Sequence, residues 1–234
     1  MRISVVIPTL NEELAVERTI CAAKRISFVG EVIVADGGSS DGTQALAEQA
    51  GARVIPCQKG RGIQLQCGAS EASGDVLWFL HADTVAPIEA GEAMQSALAR
   101  PDVVAGNFAL QFDGESAGAR HLTRIYPHLR KLGLCYGDSG IFVRRRAYEA
   151  IGGFSPYPLF EDLDLVRRLR RIGGFEHLQC RLVTSSRRFE TRNFAGVFTY
   201  WSALQVLYWA GVSPVTLGKW YAPVRGASGS GKPA

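Results

Sequence analysis

Apolar residues in the first half of the chain fall in short, compact runs. Ile3-Ser4-Val5-Val6-Ile7 is closed by Pro8, Glu31 leads into Val32-Ile33-Val34-Ala35, Val54-Ile55 is brief, and Asp75 leads into Val76-Leu77-Trp78-Phe79-Leu80. Runs this short, rich in branched and aromatic side chains, predict strands, the last of them central and covered on both faces. The segments between carry helix signals. Asn11 is placed to cap a helix whose first turn holds Glu12 and Glu13, with Gly30 closing it. Asp41 followed by Gln44 has the spacing of a capping box, and Gly51 stops the helix it opens. A third helix covers about residues 63–73. This alternation predicts βαβ units: an α/β fold with a mostly parallel sheet flanked by helices.

Further along, Pro87 opens a helix that ends near Arg100, and residues 103–110 return as a strand. The pattern weakens over residues 111–134, where two readings stand: a mobile loop with a short helix facing a second substrate, or a plain surface connection. His121 and His128 in this segment lack a matching ligand set and read as surface residues. A short apolar strand follows Gly140, and a helix covers about residues 161–172. There Leu163, Val166 and Leu169 share one face, while Arg167, Arg168, Arg170 and Arg171 crowd the C-terminal turns.

Residues 194–212 are the most apolar stretch and approach the length that spans a bilayer, but Thr199, Ser202 and Gln205 interrupt it. The stretch reads as a buried or dimer-forming helix, as a helix in the membrane interface aided by Arg187, Arg188 and Arg192, or as a span. The division expected is an α/β domain over 1–190, an apolar helical extension over 191–222 and a flexible tail over 223–234. The tail spells G-x-x-x-x-G-K, but Pro233 stands where a P-loop needs Ser or Thr.

Composition adds bounds. With 47% hydrophobic and 21% charged residues in 234, the chain has the make-up of a folded domain. A net charge of +4 suits phosphates or an anionic membrane surface and is no nucleic-acid signature. The five cysteines include no C-x-x-C pair, so neither zinc nor a disulfide framework is expected, and a reducing compartment fits. The apolar run before Pro8 is too brief for a signal peptide, which makes a cytoplasmic location the default, with the inner face of the membrane as a variant.

In an open α/β sheet the ligand site lies beyond the C-terminal ends of the strands. That rule puts residues 8–12, 36–41 and 81–84 on one rim. Each has a plainer explanation: Asp36 as a turn residue, Asp41 as a cap, Lys59 and Arg61 as a solvated loop, and Glu161-Asp162 as helix-start electrostatics. Taken together they form a coherent set: a carboxylate for a ribose or base, cations for phosphates and a carboxylate for a metal.

Three motifs then stand in order: Val5-Val6-Ile7-Pro8-Thr9-Leu10-Asn11-Glu12-Glu13, Val34-Ala35-Asp36-Gly37-Gly38-Ser39-Ser40-Asp41-Gly42-Thr43, and Gly74-Asp75-Val76-Leu77-Trp78-Phe79-Leu80-His81-Ala82-Asp83. With them the chain resembles the family 2 glycosyltransferases of GT-A fold over about residues 3–173. The resemblance implies a nucleotide site lined by Pro8, Thr9, Asn11 and Glu12, with Asp36 on the base, usually uracil; Lys59 and Arg61 are the cations that the rim set offers to the phosphates. Asp83 matches the last carboxylate of the family's D-x-D and would bind Mg²⁺ or Mn²⁺; His81 stands where many members have Asp. Asp138 and Ser139 fall beside the donor sugar and acceptor. The spacing from Gly152-Gly153-Phe154 to Glu161-Asp162-Leu163-Asp164 resembles the family's catalytic motif, with Asp162 as base and Glu161 beside it. A late histidine ligand is missing near residues 184–188, so water or Arg187 and Arg188 would take its part.

The activity so implied is inverting transfer of a sugar, most simply from a UDP-sugar, to a hydroxyl acceptor, with a lipid-linked acceptor as the option that the apolar C-terminal helix raises. Q-x-x-R-W is absent, which favours single transfer over polymerisation. Two alternatives remain: a non-catalytic sugar-nucleotide-binding or membrane-docked partner protein, and a sugar-1-phosphate nucleotidyltransferase. The second normally opens with a Gly- and Arg-rich loop where this chain has Pro8-Thr9-Leu10-Asn11.

Overall fold

The apolar runs become four neighbouring parallel strands in the computed structural model: β1 (Ile3–Thr9), β2 (Val29–Asp36), β3 (Arg53–Pro56) and β4 (Val76–Phe79). Helices α1 (Val16–Lys24), α2 (Thr43–Gln49) and α3 (Arg61–Glu71) connect them. The structure describes residues 1–114, 117–131, 135–185 and 194–220. Arg187, Arg188, Arg192 and the tail from 223 onward lie outside those residues.

The second half adds β5 (Thr84–Val85), α4 (Ala90–Leu98), β6 (Val103–Phe112), α5 (Ala117–Lys131), β7 (Phe142–Arg144), α6 (Arg145–Ala150), α7 (Glu161–Leu169) and β8 (Gly174–Thr184). All eight strands join one sheet in the order β3-β2-β1-β4-β7-β6-β8-β5. Strand β7 runs antiparallel to both β4 and β6, and β5 antiparallel to β8, while β6 and β8 are parallel. Because β7 reverses direction, the segment entering it arrives at the C-terminal ends of β1 to β4. That places residues 137–140 on the rim expected for the site.

The pleat of β1 divides the core. Ile3, Val5 and Ile7 face α1 and α4 with Trp78 and Met94, whereas Val6 faces α3 and α7 with Leu65, Leu77, Phe79 and Leu165. A third cluster joins Leu159, Phe160 and Leu163 to Leu204 of α8 (Phe194–Trp209) and Leu217 of α9 (Pro214–Trp220). Helix α8 exposes Tyr200, Val206 and Trp209 on its outer side. No helix among the described residues is long and apolar enough to cross a membrane.

Several local expectations change. Strand β1 continues through Pro8 to Thr9. The β1–β4 pairing ends at Val6 with Phe79, and residues 6 and 8 face the same side, so the proline's missing N–H costs no ladder bond. Asn11 does not cap α1: it sits at φ 58°, and the helix begins at Val16. Gly30 belongs to β2, where a Cβ would collide with the Arg2 side chain. The weakly patterned segment after residue 111 contains a full helix, α5, with Pro127 inside it. Its buried stripe of Ala119, Tyr126 and Arg130 hides an arginine and is hard to read as apolar, while His121 and His128 are exposed as expected. Cys57 and Cys67 form a disulfide, contrary to expectation: the turn from β3 into α3 brings them together, with a Cα–Cα separation of 6.4 Å. The cysteine-based case for a reducing compartment falls away with it.

Candidate functional site

The first sector of the rim is sewn together by side-chain hydrogen bonds between the loops after β1 and β2. Asp36, 1% exposed, ends β2 opposite Thr9 of β1. Its Oδ1 accepts from Thr9 Oγ1 (2.9 Å) and Ser39 Oγ (2.5 Å); its Oδ2 accepts from Gly38 N (3.0 Å), Ser39 N (2.8 Å) and Gln44 Nε2 (2.7 Å). Burial alone would raise the Asp36 pKa, but the donors from Ser39, Gln44 and Thr9 outweigh it and hold the carboxyl below its usual range. Gln44 is thus spent on Asp36 and does not close a capping box, while Asp41 Oδ1 accepts from Thr43 N (3.0 Å). Asn11 Oδ1 accepts from Ser40 N (2.8 Å), and Glu12 N donates to Thr43 Oγ1 (2.8 Å). Buried Gln64, absent from the sequence reading, donates from Nε2 to Thr9 O (2.7 Å) and Ala35 O (2.8 Å), locking α3 to both strand ends. A lone amide on the buried side of α3 was the available signal.

The second sector is charged. Arg61, the first residue of α3, reaches across the rim to α7, where its Nε lies 3.0 Å from Glu161 Oε1 and its Nη2 3.8 Å from Asp162 Oδ2. The same nitrogen abuts His81 Nε2, and His81 Nδ1 lies 2.8 Å from Asp138 Oδ1. Arginine can only donate, so the network assigns the ring proton to Nδ1, donated to Asp138. Asp162 Oδ2 accepts from Gly137 N (2.6 Å) and its Oδ1 from Leu163 N (2.7 Å). A Cβ on Gly137 would strike Arg61 Nη2, so glycine here is what lets the guanidinium approach. Glu161 is almost wholly buried; burial pushes its pKa up to about 7, with Asp162 and Asp138 adding to the rise and Arg61 opposing it.

Behind the turn, Ser139 Oγ donates to Tyr136 O (2.5 Å) and accepts from Asn107 Nδ2 (2.9 Å), and Asn107 Oδ1 lies 2.7 Å from His177 Nδ1. Burial, with Arg130 and Arg170 nearby, pulls the His177 pKa down to about 4. Sequence reasoning missed Asn107 and His177, which are brought under residues 137–139 only by the pairing of β6 with β8.

Of the predicted site residues, Arg61, Asp138, Glu161 and Asp162 converge, joined by His81. Asp83 is half-buried two residues beyond His81, on a turn fixed by Thr19 Oγ1 donating to Ala82 O (2.7 Å). Lys59 is exposed on the loop before α3. Among the described residues no group of three or more His, Cys, Asp or Glu is arranged to hold a metal. A cavity of about 460 Å³ between α7 and the α8–α9 connection has Leu163 and Trp209 among its lining residues but none of these carboxylates.

Known proteins share this fold. Glucosyl-3-phosphoglycerate synthase of Mycobacterium tuberculosis is 36% identical over 96 residues, 36% of this chain and 30% of that protein. The undecaprenyl-phosphate 4-deoxy-4-formamido-L-arabinose transferase of Serratia proteamaculans is 36% identical over 100 residues, 38% of this chain and 31% of that one. The chain therefore spans about a third of the curated relatives it matches. A crystal structure of the M. tuberculosis synthase with Mn²⁺, UDP-glucose and phosphoglyceric acid superposes with a TM-score of 0.63 at 21% identity, covering 91% of this chain and 80% of that one. The mannosyltransferase PcManGT of Pyrobaculum calidifontis, with GDP-mannose and Mn²⁺, gives 0.62 at 19% identity over 78% and 56%. Those likenesses establish the α/β fold as the GT-A type. The sequence model of glycosyl transferase family 2 matches residues 4–152, and the chain belongs to that family.

Proposed function

We propose that the protein is an inverting glycosyltransferase that moves a sugar from a nucleotide-diphospho-sugar, with UDP as carrier, to a hydroxyl acceptor. The observation that carries the proposal is the convergence of Asp162 with Arg61, His81 and Asp138 at the C-terminal rim of the parallel strands. In this reading the β1 and β2 loops cradle the nucleoside, with Pro8, Thr9, Asn11 and Glu12 around it and the buried Asp36 holding the loop that faces the base. Lys59 and Arg61 meet the diphosphate, and Asp138 and Ser139 flank the sugar.

Asp162 is held by two backbone N–H groups, from Gly137 and Leu163, which fix the direction of its carboxylate. It takes the acceptor's hydroxyl proton as that oxygen bonds to the anomeric carbon. The bond from that carbon to the diphosphate breaks on the opposite face, and the nucleoside diphosphate leaves with the electron pair. Such base assistance is worth roughly 10²–10⁴-fold.

The donor set suits a divalent cation held mainly by its substrate. Both ring nitrogens of His81 are engaged, leaving Asp83 as the oxygen ligand the family's motif points to. Mg²⁺ is commonly bound by one or two carboxylates together with substrate phosphates, and Mn²⁺ accepts the same oxygen ligands. When bound, the ion offsets the charge that builds on the departing diphosphate.

Asp162→Asn should lower transfer by roughly 10²–10⁴-fold without weakening UDP binding. Parallel loss of both would remove Asp162 from the role of base. In a titration panel of UDP, GDP, TDP and CDP with Mn²⁺, UDP should bind tightest; equal or absent binding would overturn the choice of carrier.

A further inference from the structure

We infer that Arg61 is a counter-ion shared between the acidic pair and the donor's diphosphate, and that Glu161 takes a proton from solvent when the diphosphate claims that arginine. This rests on the nucleotide reading above and adds a regulatory step to the same site.

The geometry separates a reachable member from two enclosed ones. The Arg61 side chain is 35% exposed, whereas those of Glu161 and Asp162 are 5% and 8% exposed. A ligand arriving at the rim therefore meets the guanidinium before it meets the carboxylates behind it. The charged groups facing Glu161 are Arg61 from α3, Asp162 beside it on α7 and Asp138 from the turn before β7, with His81 linked through Arg61 and Asp138. Arg61 is the cation of that set and opposes two neighbouring carboxylates. Glu161 titrates near neutrality while Arg61 is 3.0 Å away. A diphosphate draws the guanidinium toward itself and brings negative charge of its own, and both effects favour the neutral form of Glu161.

The exchange also changes Asp162. Before the donor binds, Asp162 lies under the field of Arg61. Afterwards the arginine's charge is directed at the phosphates, Glu161 is neutral, and Asp162 is left as the anion that meets the hydroxyl. The base is thus readied by donor binding. Glu161 acts through Arg61 and is a positioning residue on this account.

Proton linkage tests the idea directly. Titrating UDP with Mn²⁺ in fixed excess, by calorimetry in buffers of different ionisation enthalpy, should show uptake of about half a proton near pH 7 beyond that of Glu161→Gln, and more at pH 8. Over the same interval the parent's UDP affinity should be about fivefold stronger at pH 7 than at pH 8, relative to that variant. Arg61→Gln, in which Glu161 already holds its proton, should show no extra uptake either, and serves as the control if Glu161→Gln folds poorly. Uptake equal in the parent and either variant, with UDP still bound, overturns the exchange alone. Absence of UDP binding in the parent overturns the nucleotide reading and the exchange together.

Discussion

The two sectors of the rim are built on opposite principles. Between β1 and β2, one buried carboxylate, Asp36, is held by neutral donors that consume its acceptor capacity, and Gln64 and Asn11 stitch the surrounding backbone. Between α3, residues 137–139 and α7, three carboxylates share a guanidinium and an imidazole, and the balance is one of charge. The first arrangement has one well-satisfied state. The second can be redistributed by adding or removing a single charge, which is what a site handling a charged diphosphate requires. Disturbing the first sector should therefore cost stability, and disturbing the second should alter ligand response.

The largest effect expected is that of Asp36→Asn. The amide cannot accept all the bonds the carboxylate does and turns N–H groups toward donors, so unfolding free energy should fall by about 3 kcal/mol. Chemical denaturation checks this, and an unchanged midpoint would break the contrast. The pH dependence sharpens it, because the two sectors have opposite signs. The Asp36 pKa is lowered on folding, so its stabilisation is present above the usual carboxylate value and is lost as pH falls through the folded one. The Glu161 pKa is raised from 4.5 to about 7, so folding binds protons there, and stability declines as pH climbs across that interval. Asp36→Asn should flatten the acid arm of the stability curve and Glu161→Gln the arm between those values.

Next is Gln64→Leu, which leaves the carbonyls of Thr9 and Ala35 without their buried donor and should cost about 2 kcal/mol. Smaller again, Gly137→Ala keeps the N–H that Asp162 uses but puts a methyl group where Arg61 Nη2 lies. Arg61 must swing aside, so UDP affinity should fall about tenfold, roughly 1.4 kcal/mol. Its melting temperature should stay near that of the parent; a large drop would place Gly137 among the stabilising elements and blur the comparison.

The difference between the sectors also marks what the sequence could show. Strands β1, β2 and β4 were legible because each is a short, almost wholly apolar run, and topology alone then brings Thr9, Asp36 and His81 to one rim. The motif spacing was enough to single out Asp83 and Glu161-Asp162 as candidates. Contacts such as Arg61 to Glu161 span a hundred residues and follow from α3 and α7 packing on the same face of the sheet, which no local pattern states. Helix α5 was obscured by Pro127 and by Arg130 on its buried side, and the Cys57–Cys67 pair by a spacing with no motif. At Asn11 the cap rule gave way to loop chemistry, since its side chain is spent on Ser40.

That last residue offers, in its glycine variant, the smallest test. At φ 58° Asn11 occupies left-handed backbone, which asparagine tolerates better than most residues, while its Oδ1 accepts from Ser40 N (2.8 Å) at an exposed position. Asn11→Gly removes the hydrogen bond but eases the backbone, and the two should leave a loss of about 0.5 kcal/mol. Asn11→Ala loses the bond and adds the left-handed penalty, so about 1.5 kcal/mol is expected. Both losses should appear in thermal unfolding, with no change in the proton uptake that accompanies UDP binding. An altered uptake in either variant would mean that the stitched loops and the charged network move together, and the separation of rigid and responsive sectors would have to be given up.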